Sequence, residues 1–145
     1  MRRKSTKFAL LLLTVVGISA VTLALMSYNQ DRKFATFISD LNLLTDEIVK
    51  KINSNPTSTG VVEAQKILGA KKADLKKNLA ELKTISGSQV SGEMLVRFQE
   101  SLRDNRAKIS NLLVENPAVM KALKEDPQFL VDMKNLMDDY KSIIK

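Results

Sequence analysis

The chain's 145 residues suffice for one domain with a modest core. With 5 Gly and 3 Pro and no Cys, His or Trp, it points to an all-α fold and excludes disulfides, thiolate or imidazole nucleophiles and His- or Cys-based metal sites. The net charge of +7 is not a nucleic-acid footprint: 4 of the 23 Lys and Arg precede the first apolar run, and the other 19 face all 16 acids, leaving +3.

Those four cations, Arg2, Arg3, Lys4 and Lys7, form a basic N-terminus over residues 1–7. Residues 8–26 follow as 19 positions without a charge, interrupted only by Thr14, Gly17, Ser19 and Thr22. As a helix this run is about 28 Å long, close to a hydrocarbon core of about 30 Å. A cleavable leader has a shorter apolar region ending in a small-residue site. Here the candidate sites, after Ala20 and Ala24, lie inside the run, and cutting at Ala20 leaves a greasy new end. The expectation is therefore a retained single-pass signal-anchor contacting membrane lipid. The excess of cations before the run places the N-terminus in the cytoplasm, and residues 27–145 on the periplasmic or extracellular side. Type IV pilins also open on a long apolar helix. This chain is not of that kind, because Lys7 stands where they carry Gly and Leu12 where they carry Glu.

Beyond the run, Phe34, Phe37, Ile38, Leu41, Leu44, Ile48 and Ile52 repeat at three- and four-residue steps, predicting a helix over 31–53. No Gly or Pro separates it from the apolar run, so one helix can carry both. "NSNPTSTG" stops it. Val61, Leu68, Leu75, Leu79 and Leu82 predict a second helix over 61–85, and "SGSQVSG" is a turn with Ser91 as N-cap of a third, 92–114. Asn116–Pro117 and Asp126–Pro127 each set a capping side chain before a Pro at the first helical position. They open a short helix with Val119, Met120 and Leu123, and a last one running from Phe129 through Tyr140 to Ile143 and Ile144.

Four longer amphipathic helices and one short one, joined by brief turns, predict an antiparallel bundle. If the second and third helices form a hairpin, Leu82 faces Leu95, Leu79 faces Phe98, Leu75 faces Leu102 and Leu68 faces Ile109. The layer left over pairs Lys72 with Asn105, a polar layer suited to fixing register.

Chemistry is scarce. Asp46–Glu47, Glu125–Asp126 and Asp138–Asp139 are adjacent on helices and point apart, so they make poor acid–base pairs or calcium cages. "GAKKADLKK" lacks the glycines and the Ser or Thr of a phosphate loop. Neither an enzyme nor a cofactor or metal is expected, and no nucleic-acid partner. Two surfaces stand out. Lys66, Lys71, Lys72, Lys76 and Lys77 form a candidate patch for an anionic partner, partly offset by Asp74. Met120, Phe129, Met133 and Met137 form a candidate apolar groove. The stretch "NPAVMKALKEDPQFLVDMKNL" loosely resembles the short Asn/Asp-Pro helices of Hop- and ubiquilin-type co-chaperone modules. That resemblance implies a groove holding client segments.

The function expected is a membrane-anchored, non-enzymatic module that binds a protein partner or organises the envelope. The alternative is a chaperone-like or sensory bundle taking apolar peptides or small ligands between its helices, released if the leader is cut.

Overall fold

The structure, a computed structural model, describes the backbone over residues 3–144 and the side chains over 25–144. It is all-helical, with five helices: α1 Arg3–Ser54, α2 Ser58–Lys83, α3 Gly92–Glu115, α4 Pro117–Glu125 and α5 Pro127–Lys141. A single 3-10 turn, Gly87–Gln89, lies between α2 and α3. Among the described residues no helix is long and apolar enough to cross a membrane. The anchor expected at 8–26 lies outside the described side chains apart from Leu25 and Met26, which are exposed.

Each boundary has a chemical cause. Asn55 precedes Pro56 and is driven out of the helical region, ending α1 at Ser54. Thr57 then caps α2, its Oγ1 accepting from the Gly60 N–H at 3.4 Å. Helix α2 thus starts three residues before the apolar stripe announces it. Ser91 caps α3 by accepting from the Met94 N–H at 3.2 Å. Asn116 accepts from Ala118 and Val119, and Asp126 from Gln128 and Phe129, at 2.9 and 3.1 Å in both cases. Ser142 ends α5 early, yet Ile143 and Ile144 fold back and are buried.

Cross-helix bonds give the directions. Asp31 accepts from the Ser91 N–H, Asn42 meets Asn105, Asp46 pairs with Lys108, and Asn53 meets Asn116. Both numbers climb together, so α3 runs parallel to α1. Gln65 donates to the Asp132 carbonyl and Lys72 pairs with Asp139, so α5 likewise runs parallel to α2. Lys51 pairs with Glu63 across the first turn, where α2 reverses α1. Helix α1 packs on both α2 and α3, α5 packs on α2, and α4 bridges α3 to α5. Phe34, Phe37, Leu41, Leu44, Ile48 and Ile52 are all buried on α1, with Thr45 as the polar member of the stripe.

The hairpin register between α2 and α3 is wrong. Both helices pack on α1, which places them on a diagonal of the bundle. Lys72 Nζ reaches Asp139 Oδ1 at 2.7 Å, and its side chain stays 30% exposed. Asn105 is buried, but Nδ2 donates to Asn42 Oδ1 at 2.5 Å and to the Ser101 carbonyl at 2.7 Å. The buried polar layer lies between α1 and α3.

Two pairs of substitutions test this account by urea denaturation. A methyl at Gly60 would run into the Asn55 carbonyl oxygen, a backbone atom that cannot swing aside, whereas nothing approaches one at Gly69 within 4 Å. Gly60→Ala should cost about 2–3 kcal/mol, and Gly69→Ala, in mid-helix, should gain about 0.5–1 kcal/mol. Asn105→Ala should cost about 1–3 kcal/mol, but Lys72→Ala only about 0.5 kcal/mol or less, its ion pair being exposed. A double-mutant cycle between Lys72 and Asn105 should show no coupling; a clear coupling would restore the hairpin register.

Candidate functional site

With α1 packed on α2 and α3, and α5 on α2, the flank between α3 and α5 is the one left open. A pocket of about 320 Å³ lies there. Arg106, Ile109 and Ser110 line it from α3, and Met137, Tyr140, Lys141 and Ile144 from α5 and the residues after it. Ile109, Tyr140 and Ile144 are buried, and Met137 packs half-buried against the core. The floor is therefore apolar.

Two hydrogen bonds set its walls. Thr45 Oγ1 gives its one proton to the Leu41 carbonyl at 2.8 Å, so the Tyr140 hydroxyl, 2.5 Å away, must be the donor to Thr45. This ties the tyrosine hydroxyl to α1, while the same residue lines the pocket. Arg106 Nη2 donates to the Ile144 carbonyl at 3.1 Å, fastening the chain after α5 to α3.

Among the described residues Arg106 and Lys141 are the only charged groups lining the pocket. Neither makes an ion pair among the described residues. Burial pushes the Tyr140 hydroxyl above its ordinary pKa, against the opposing pull of the Thr45 bond and the Arg106 charge; Asp46 adds to the rise. Tyr140 is thus a fixed neutral donor near neutral pH, not a base. Among the described residues no cluster of acidic side chains is placed to hold a metal ion.

Other hollows on the surface differ in character. One of about 540 Å³ is lined by Arg32, Lys33 and Glu81 with Asn29, Gln30 and Asn78. Another, about 330 Å³, sets Lys71 and Lys77 among Asp40, Glu47 and Asp74. Both signs of charge meet in each, whereas the described residues of the α3–α5 pocket carry one sign over an apolar floor.

The lysines singled out on α2 do not form a stripe. At about 100° per residue, Lys66 and Lys77 lie within roughly 20° of each other, Lys72 and Lys76 roughly 80–120° to one side, and Lys71 roughly 140° to the other. Lys66, Lys71, Lys76 and Lys77 are exposed, while Lys72 is committed to Asp139. Nor do the four groove residues share a surface. Phe129 and Met133 are core at 0% and 1% exposure, Met120 sits exposed on α4, and Met137 alone lines the pocket. Arg106 and Lys141, the charged members of the pocket, carry no sequence signal beyond two cations on different helices.

The chain matches no protein-family model, and comparisons with curated proteins and with solved structures return no match.

The Tyr140 environment predicts an alkaline weakness. Below about pH 10 the hydroxyl is protonated in both folded and unfolded chains, and its contribution is intact. Above that, the unfolded tyrosine ionises while the folded one resists, so stability falls until the folded pKa is passed. Tyr140→Phe should cost about 1 kcal/mol near neutral pH and should flatten this fall. Urea midpoints at about pH 8 and about pH 11 measure it; equal slopes for both proteins would refute the assignment.

Proposed function

We propose that the chain is a membrane-tethered, extracytoplasmic helical bundle that binds a protein partner and performs no catalysis. The observation that carries this reading is the continuity of α1, which runs unbroken from Arg3 to Ser54. Its second half is the helix on which α2 and α3 pack. Asp31 Oδ1 accepts from the Ser91 N–H at 2.9 Å, so the α2–α3 turn closes on α1 just past the apolar run. A bundle built this way stands directly on whatever holds residues 8–26, with no hinge of Gly or Pro between. The four leading cations support a cytoplasmic N-terminus. For the partner, α5 offers Leu130 and Val131, each about half exposed, and α4 offers Met120.

The α3–α5 pocket favours a second reading, a bundle that takes a small apolar ligand. The two are compatible, since the pocket and the exposed residues of α5 are distinct.

Fractionation with N-terminal sequencing of the mature protein tests the tether. The expected result is a membrane-bound chain retaining residues 8–26; a soluble product beginning near Val21 or Leu25 overturns it. Co-purification from membranes should then recover one stoichiometric partner, lost when Leu130 and Val131 are both changed to Lys. A heterogeneous set of clients would favour the ligand- or client-binding bundle instead.

A further inference from the structure

We propose that the α3–α5 pocket holds a single-chain anionic amphiphile, a monomeric carboxylate of the fatty-acid class, with Arg106 and Lys141 receiving the head group. The identity follows from what lines the site. Ile109, Met137, Ile144 and the ring of Tyr140 give an apolar floor. At about 320 Å³ the space lies at the low end for small-molecule sites, which suits one chain and not two.

The mouth selects the charge. Arg106 spends one N–H on the Ile144 carbonyl, and a guanidinium has five donors in a fork that matches a carboxylate. Lys141 lines the same pocket, and among the described residues no acid does. Asp46, the acid acting on the Tyr140 hydroxyl, is held by Lys108 at 2.6 Å. Two cations over an apolar floor, with no carboxylate among the described lining residues, complement an anionic head on a hydrocarbon tail. A cationic or neutral tail gains the floor alone.

The source is the free monomer, not the bilayer. The pocket lies level with Thr45, nineteen residues past Met26 on one helix. That places it about 28 Å above the end of the apolar run. This last step rests on the tether proposed above; the pocket's preference for an anionic chain does not.

The test uses the full chain in zwitterionic nanodiscs, with its six methionines methyl-labelled for NMR and Met137 assigned through Met137→Leu. Decanoate should shift the Met137 methyl saturably and leave buried Met133 unmoved, while decyltrimethylammonium should not compete. Arg106→Glu and Lys141→Glu should each weaken the response roughly tenfold or more, with the Met133 signal in place to show that the core is intact. An unsaturable response, an equal response to the cationic chain, or indifference to both charge reversals would overturn the site. A Met137 shift on changing the nanodisc lipid to an anionic one, without decanoate, would overturn the free-monomer source. If fractionation finds the chain released, the tether fails while the decanoate titration of the soluble product still decides the pocket. If the chain is tethered and Met137 is silent, the pocket fails alone.

Discussion

A tyrosine ring can be buried cheaply only if its hydroxyl finds a partner, and in this bundle Thr45 is that partner. The bond crosses the diagonal from α5 to α1, two helices whose buried stripes share one core. Phe129, Met133 and Leu136 could fill the core at several rotations of α5, because dispersion and burial are not directional. The Tyr140 hydroxyl is directional, and Thr45 is a polar member of an otherwise apolar stripe. Fixing that rotation places Met137 and Lys141 on the α3 side, fixes where the chain after α5 meets Arg106, and so shapes the open flank.

Helix α1 meets α3 through two kinds of contact. Phe34 and Phe37 both pack on the Phe98 ring, at centroid distances of 5.1 and 5.7 Å. The helix also carries a ladder of polar contacts at Asp31, Asn42, Asp46 and Asn53, each to a residue about sixty positions on. Apolar packing tolerates sliding by a turn; a ladder of matched donors and acceptors does not. Within the ladder the Asn105 amide is lopsided. Its Nδ2 faces three acceptors, on Asn42 and Ser101, while the buried Oδ1 has no partner among the described residues. That layer is specified by its N–H groups and stabilised by only half of what the side chain could offer.

Much of the local structure could be read from residues alone, because its causes are local. Asn116 and Asp126 before prolines, Ser91 before α3 and the Asn55–Pro56 break act within four residues of themselves. Helix pairing was less legible. The stripe from Leu68 to Leu82 and that from Leu95 to Ile109 can face each other or both face a third helix, and spacing is the same in either case. The Lys72–Asn105 alignment followed from assuming the first. The pocket was legible only as scattered members: Met137 and Tyr140 appeared as stripe residues, while Arg106 and Lys141 were ordinary surface cations. What joins them is the absence of close packing between α3 and α5, which no periodicity records.

The unbroken α1 also has a geometric consequence for how this molecule could vary. A helix advances about 1.5 Å and turns about 100° with each residue. One residue inserted between Met26 and Asp31 would therefore swing the whole bundle, with its pocket and its exposed α5 residues, by more than a quarter turn about the axis. The core would be untouched. Spacing in that short stretch acts as an angular setting, so the direction the bundle faces is a property of chain length and not of any contact within it.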